Sequence, residues 1–242
     1  MRRNEEEMLA GEIKSLKAER LAARCYPVAL KLENQVCLVV GGGAVAERKV
    51  SSLLKSGAKV KLVSKEVTPR LRRLIAAGLV AYRQGEYACA DLAGVFLAIG
   101  ATSCPETNRR LAQDCRERNL LVNVVDNPEL GNFYVPAVVT RDSFQIAVST
   151  GGKSPLLARK IREELAKRYG PEYGELAGLL GRIREKARRE IKDLRARQAL
   201  FSRLLDGEVL ELMQKGLWKE AKERVLNNAG TCCGGQSPDG AG

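Results

Sequence analysis

A glycine-rich turn reading VVGGGAVAE is the segment of this sequence whose residue types could most directly bind a ligand. Gly41, Gly43 and Ala46 fit the pattern G-x-G-x-x-A, directly after an apolar strand-like run and at the start of an amphipathic helix-like run. The first glycine permits a tight turn, the second lets the backbone approach a pyrophosphate, and the alanine permits close helix packing. Amides at the helix start, at Ala44 and Val45, would donate to phosphates. The turn predicts a dinucleotide site; the alternative is a glycine-rich turn without a ligand.

The ribose end of such a site is less regular in this sequence. A dinucleotide domain usually ends its second strand with Asp or Glu, whereas here KVKLV is followed by Ser64, Lys65 and Glu66. Glu66 would accept hydrogen bonds from the ribose hydroxyls of NAD, whereas Lys65 would contact the 2′-phosphate of NADP. We favour NAD, although these residues alone leave both cofactors open.

Asp126 is the carboxylate best placed for proton chemistry. The chain contains no histidine, so proton transfer near neutral pH must use another group. Asp126 follows the apolar run LLVNVV, and ligands of open α/β sheets lie beyond the carboxyl ends of the strands. The alternative for Asp126 is an Asx-turn or a helix-capping role before Pro128.

A second loop, STGGKSP at 149–155, could present amides, hydroxyls and an ammonium group to an anion. It is not a Walker A loop, because that pattern requires glycine where this chain has Ala147. The alternative is a plain connecting loop in which Ser154 caps the next helix.

The order of the predicted elements indicates how these motifs are positioned. We predict strands at 36–40, 59–63, 79–82, 95–99 and 120–125, a hairpin from 137–140 and 144–149, and helices at 44–56, 68–78 and 103–118. A capping box, Ser103 to Glu106, is expected to open the third helix. From Ser154 the sequence is helical, with breaks near Gly170, Gly207 and Gly216. Alternating strands and helices predict a Rossmann-like parallel sheet in an α/β protein, followed by a small β segment and a helical domain.

Composition excludes several classes of protein. The net charge of +12 favours anionic partners, but no basic tract carries interleaved aromatic residues, so we do not expect nucleic-acid binding. No apolar run is long enough to cross a bilayer and the N-terminus lacks the apolar core of a secretion signal, so we expect a cytoplasmic protein without a membrane partner. Seven cysteines without a C-x-x-C pair argue against a disulfide framework and a structural metal site, and we expect mostly buried thiols.

In this order the motifs resemble the siroheme synthase N-terminal family over about residues 26–226. The resemblance is carried by YPV at 26–28, VVGGGAVAERK at 39–49, FLAIGAT at 96–102, VNVVDNP at 122–128, Phe133, Pro136 and AVSTGGKSPLLAR at 147–159. It implies oxidation of precorrin-2, a polycarboxylate tetrapyrrole, to sirohydrochlorin with NAD as cofactor, in a homodimer. It also implies an NAD domain at 25–135, a dimerisation segment at 136–155 and a helical domain at 156–229. Outside these, the composition predicts a peripheral extension at 1–24 and a disordered tail at 230–242.

The resemblance implies roles for individual residues. The expected catalytic residue is Asp126, as an orienting group or as a proton acceptor. The expected cofactor contacts are Gly41, Gly43, Ala44, Val45, Ala46, Lys65, Glu66 and Thr102, and the expected substrate contacts are Asn127, Ser149, Thr150, Lys153 and Arg159. Thr150 also occupies the position of a serine that can be phosphorylated in one family member.

Two alternatives stay open. Some members of the family also insert iron as sirohydrochlorin ferrochelatases, but a chain without histidine has fewer ways to hold ferrous iron, so we favour the dehydrogenase alone. A non-enzymatic NAD-sensing regulatory domain would explain the glycine turn and the basic helical half. It would not account for the motifs VNVVDNP and STGGKSP.

Overall fold

The computed structural model describes residues 25–230 of the chain. The N-terminal extension and the tail beyond residue 230 lie outside the described residues. The described chain divides into two compact units, one formed by 25–135 with 151–153 and the other by 136–150 with 154–230.

The first unit is a parallel sheet with helices packed on it. Its elements are β1 (Val36–Val40), α1 (Ala44–Lys55), β2 (Lys59–Ser64), α2 (Pro69–Ala76), β3 (Val80–Gln84), β4 (Leu97–Gly100), α3 (Pro105–Glu117) and β5 (Leu121–Val124), with short 3₁₀ turns at Cys89–Leu92 and Pro128–Leu130. The strand order is β3-β2-β1-β4-β5, and every pair is parallel. The predicted Rossmann-like architecture is confirmed. Because the order reverses between β1 and β4, the loops after these two strands border one crevice.

The sheet is buried on both faces, as expected for a parallel sheet covered by crossover helices. Alternate residues of β1 belong to different apolar clusters, with Cys37 and Val39 on one face and Leu38 and Val40 on the other. Burial raises the pKa of the Cys37 thiol to about 11, so this side chain stays protonated and packs as a small apolar group. The rigid sheet fixes the loops at its carboxyl edge.

Two local predictions fail at exposed positions. The helix α3 begins at Pro105 with Cys104 as its N-cap, and no side chain caps it, so the predicted Ser103–Glu106 capping box is wrong. Pro105 takes the first helical position, which moves Ser103 outside the cap. The thiols are also less buried than predicted: of the five described, Cys25 and Cys104 are exposed and Cys89 is half-buried.

A single side chain completes the outer edge of β5. The Oδ1 atom of Asn132 accepts from the Val122 amide at 2.8 Å, and its Nδ2 atom donates to the Leu120 carbonyl at 2.8 Å. The Asn132 amide donates to the Val122 carbonyl at 2.9 Å. Asn132 therefore replaces a neighbouring strand at this edge.

The second unit is a hairpin packed with helices. Its elements are β6 (Ala137–Arg141), β7 (Phe144–Val148), α4 (Pro155–Arg168), α5 (Glu172–Glu190), α6 (Leu194–Leu204), α7 (Gly207–Gln214) and α8 (Trp218–Gly230). The antiparallel hairpin and the predicted helix breaks are confirmed. A further break, between α5 and α6, was not predicted, because Asp193 caps α6 without a nearby glycine or proline.

The hairpin packs closely on the helices of its own unit. The Arg141 guanidinium donates to the Ala166 carbonyl at 2.9 Å and to the Tyr169 carbonyl at 3.1 Å, where α4 ends. A Cβ on Gly174 of α5 would overlap the Arg141 carbonyl. The hairpin is marginal alone, and these contacts give it the cover that it needs.

Asp206 links α7 and α8 in the helical core of the second unit. Its carboxylate accepts from the Val209 amide at 2.9 Å, which caps α7, and from Arg224 at 3.1 Å and Asn228 at 3.3 Å on α8. These donors, the Val209 amide first, lower the pKa of the Asp206 carboxyl in the folded state. Its stabilising contribution is therefore complete above the ordinary aspartate pKa of about 4 and is lost as the pH falls through the lower folded value.

We expect Asp206→Ala to lower the thermal unfolding midpoint of this unit by roughly 4–8 °C at pH 7, because it removes a cap and a cross-helix contact together. The difference from the unmodified protein should shrink below about pH 4. Fluorescence of Trp218, the one tryptophan in the chain, follows this unit. Asp193→Ala is the control, because among residues 25–230 Asp193 accepts only from the amides of Arg195 and Ala196 at the start of α6. Equal losses in both variants would show that the link to α8 adds nothing.

No helix of the described part is long and apolar enough to span a bilayer. Within residues 25–230, no group of three or more acidic, thiol or imidazole side chains is arranged to hold a metal ion.

Candidate active site

The first two glycines of the turn are required by close approaches of neighbouring loops. Gly41 has a φ of +119°, and a Cβ on it would overlap the carbonyl oxygen of Ala101, after β4. A Cβ on Gly42 would overlap the carbonyl oxygen of Glu66, after β2. Gly42, which the sequence pattern leaves free, is therefore as constrained by its surroundings as Gly41.

The third glycine faces open space. A Cβ on Gly43 would meet no atom within 4 Å, and both Gly43 and Ala44 are exposed. The first intrahelical bond of α1 runs from the Glu47 amide to the Gly43 carbonyl, so the amides from Ala44 to Ala46 have no acceptor within the helix. Ala46 is fully buried against the sheet. This arrangement can receive a phosphate at the helix start.

The loop after β4 is held rigidly beside the glycine turn. The Oγ1 atom of Thr102 accepts from the Cys104 amide at 3.1 Å, and the Thr102 carbonyl accepts from Asn108 Nδ2 at 2.9 Å. Asn108 is 8% exposed, and its Oδ1 atom has no partner among the described residues. Asn108 is not among the residues predicted from the sequence, although its place on the apolar stripe of α3 with Leu111 and Cys115 is a signal in the sequence.

The ribose end brings the loops after β2 and β3 together. Lys65 Nζ lies 2.7 Å from Glu86 Oε1, and Gln84 Nε2 donates to the Lys65 carbonyl at 3.3 Å. The Ser64 hydroxyl donates to the Glu66 carbonyl at 2.7 Å. The Glu66 side chain is exposed, as expected for a ribose contact, whereas Lys65 is already paired. Glu86 was not identified from the sequence.

Asp126 projects from the carboxyl end of β5 with an unengaged carboxylate. Its φ is +66°, its side chain is exposed, and no described residue hydrogen-bonds to that side chain. The following 3₁₀ turn has Asn127, also exposed, as its N-cap, and no side chain caps it. Neither an Asx-turn nor a capping contact of Asp126 is present, so those alternatives lose their support. Asn123 fixes this end of β5 by donating to the Phe133 carbonyl at 3.1 Å.

The STGGKSP loop is partly structural. Thr150 Oγ1 accepts from the Ser154 amide at 2.9 Å, and Ser154 Oγ accepts from the Leu157 amide at 3.3 Å at the start of α4. Ser154 therefore caps α4, as the alternative interpretation of this loop predicts. Ser149 and Lys153 are exposed, and Arg159 lies on the α4 surface with its Nε atom 3.0 Å from Glu163 Oε1.

Family models match three successive parts of the chain. An NAD(P)-binding model matches residues 28–137, a model described as the sirohaem biosynthesis protein central region matches 141–168, and one described as the sirohaem synthase dimerisation region matches 172–228. The chain belongs to the siroheme synthase N-terminal family. The dimerisation model lies on the helices from α5 to α8, within the segment that we expected to be the helical domain.

Individual relatives agree with this membership in the siroheme synthase N-terminal family. Siroheme synthase of Thioalkalivibrio sulfidiphilus is 41% identical over 200 residues, which are 83% of this chain and 41% of the relative. Siroheme synthase of Chromobacterium violaceum is 37% identical over 216 residues, which are 89% of this chain and 46% of the relative. The chain thus spans less than half the length of these relatives. Among solved structures, SirC, a precorrin-2 dehydrogenase, is 27% identical with a TM-score of 0.68, covering 84% of this chain and 100% of SirC.

Proposed function

We propose that this protein oxidises precorrin-2 to sirohydrochlorin and passes the hydride to NAD. The observation that carries the proposal is the similarity to SirC, which extends over the whole of that precorrin-2 dehydrogenase and includes both units of this chain. The siroheme synthase relatives support the same activity.

The residues of the glycine turn fit the proposed cofactor. Gly43 leaves room for a pyrophosphate, and the amides of Ala44, Val45 and Ala46 begin a 12-residue helix whose dipole favours an anion. Thr102 borders the same crevice, and Glu66 is the proposed acceptor for the ribose hydroxyls. When bound, NAD supplies the hydride acceptor of the reaction.

Asp126 is the proposed catalytic residue. Oxidation releases a proton as well as a hydride. The exposed Asp126 carboxylate, which no other described residue engages, can take up that proton on an Oδ atom or orient the substrate. Its position after β5 supports either role, because ligands of such sheets lie at the carboxyl ends of strands.

The proposed substrate contacts are Asn127, Ser149, Thr150, Lys153 and Arg159. Lys153 and Arg159 are exposed cations that suit a polycarboxylate substrate, and the net charge of +12 would attract it. The exposed pair of Arg159 with Glu163 is weak and can yield to a substrate carboxylate. The Thr150 hydroxyl oxygen, which phosphorylation would modify, accepts from the Ser154 amide.

We also propose that the protein prefers NAD to NADP and acts as a homodimer. The pairing of Lys65 with Glu86 supports the cofactor preference, because a 2′-phosphate would have to compete with the Glu86 carboxylate for this cation and would be repelled by it. The match to a dimerisation model supports the second proposal.

Anaerobic incubation with enzymatically made precorrin-2 and NAD tests the activity. We expect NADH to accumulate together with the absorption spectrum of sirohydrochlorin, in equal amounts. NAD binding without NADH formation would contradict the dehydrogenase and favour a sensing role. A parallel reaction with ferrous iron asks whether siroheme forms faster than without the protein, which we do not expect.

A further inference from the structure

Lys65 and Glu86 form an exposed ion pair at the ribose end of the crevice. Ser64 and Gln84 are paired at the ends of β2 and β3, so the residues after them emerge side by side. The Gly85 amide donates to the Ser64 carbonyl at 3.2 Å, and Gln84 donates to the Lys65 carbonyl. These bonds hold the two loops in register and bring the Lys65 ammonium to 2.7 Å from the Glu86 carboxylate.

The same loop is packed on the glycine turn. The Glu66 carbonyl approaches Gly42 so closely that a Cβ there would overlap it, and the Thr68 amide donates to the Gly42 carbonyl at 3.1 Å. Lys65 is therefore one residue away from a contact with the phosphate-binding turn. The hydrogen bond and the charge of Glu86 raise the pKa of Lys65, so its ammonium stays protonated.

The cations that follow β2 lie near carboxylates of this chain. Glu66 and Glu86 add two carboxylates, and Arg70, at the start of α2, lies 3.8 Å from Glu47. Lys65 and Arg70 thus each form an ion pair with a glutamate of this chain. A 2′-phosphate would have to compete with Glu86 for Lys65 and would be repelled by it.

We propose that Glu86 determines the dinucleotide preference of the protein, by holding the Lys65 ammonium and excluding the 2′-phosphate of NADP. This inference rests on the proposed dinucleotide-dependent function and names a residue that selects its cofactor. The discrimination is electrostatic, so it weakens at high salt.

Calorimetric titration of the full chain with NAD and with NADP tests the inference. We expect Glu86→Gln to strengthen NADP binding roughly two- to fivefold and to leave NAD binding nearly unchanged, since the lysine is released and one negative charge is removed. In the double variant Glu86→Gln with Lys65→Met, most of the gain in NADP binding should disappear. Glu211→Gln is the matched control, because it makes the same charge change at an exposed pair with Lys215 in the other unit.

The outcomes separate this inference from the proposed function. An unchanged NADP-to-NAD affinity ratio in Glu86→Gln would overturn it, as would an equal gain in Glu211→Gln or a full gain that persists without Lys65. If the unmodified protein bound neither dinucleotide, both this inference and the proposed function would fail. If it bound NAD and responded to Glu86→Gln but did not oxidise precorrin-2, the inference would hold and only the proposed reaction would be wrong.

Discussion

Replacing Asp126 with asparagine is expected to slow precorrin-2 oxidation at least about a hundredfold while leaving the fold and NAD binding unchanged. The substitution removes the charge and the proton-accepting capacity of an exposed, unpaired carboxylate, and a positioned acid or base typically contributes a factor of 10² or more. Asparagine tolerates the φ of +66° at this position, so the backbone need not move. The initial rate of NADH formation under anaerobic conditions gives the turnover, and far-UV circular dichroism checks the fold.

Asp142→Asn is the matched control for this variant. Asp142 also has a positive φ, of +49°, and an exposed side chain, but it lies in the turn between β6 and β7. We expect it to keep the unmodified rate. A lower kcat with unchanged KM would identify Asp126 as the proton acceptor, whereas a raised KM would identify it as an orienting group. Full turnover by Asp126→Asn would remove it from the catalytic machinery.

Alanine at Gly41 should lower stability, whereas alanine at Gly43 should weaken NAD binding without lowering stability. Gly41→Ala should lower the free energy of unfolding by roughly 3 kcal/mol or more, because a Cβ there overlaps the Ala101 carbonyl and the φ of +119° is strained for alanine. Gly43→Ala should change that free energy by less than about 0.5 kcal/mol, since its φ of −81° suits alanine and its surroundings are open. It should nevertheless weaken NAD binding at least about tenfold, because the methyl group would fill the approach to the pyrophosphate.

Urea unfolding followed by circular dichroism measures the first effect and calorimetric titration the second. Circular dichroism is needed because Trp218 lies in the second unit and does not follow the sheet. Unweakened NAD binding by Gly43→Ala would show that the open space at this glycine is not the phosphate position. A stable Gly41→Ala protein would show that the loop after β4 can move away from the turn.

The sheet was predictable from the sequence because its signals are local. Apolar runs fix the strands, and Gly57 and Gly78 take the positive φ values expected where α1 and α2 end. The prediction of a capping box at Ser103 was wrong because α3 begins at Pro105. The sequence pattern does not show whether the proline or the capping box sets the start of the helix. The break before α6 carries only Asp193 as a marker.

The candidate site was predictable from the sequence only where its residues lie in one continuous segment. Gly41, Gly43 and Ala46 lie within a single turn, where Gly41 has a positive φ, Gly43 faces open space and Ala46 is buried. Glu86 could not be found in this way, because its pairing with Lys65 depends on the register of two strands. The constraint on Gly42 likewise depends on the distant Glu66 carbonyl.

The side chain of Asn132 limits how copies of this chain can assemble. An open edge strand is a template for further strands, and such edges lead to polymers unless they are blocked. At residues 120–122 the outward-facing backbone groups of β5 are already bonded to Asn132. Two copies therefore cannot join their sheets into one continuous sheet along this stretch, and association of the chain must use other surfaces.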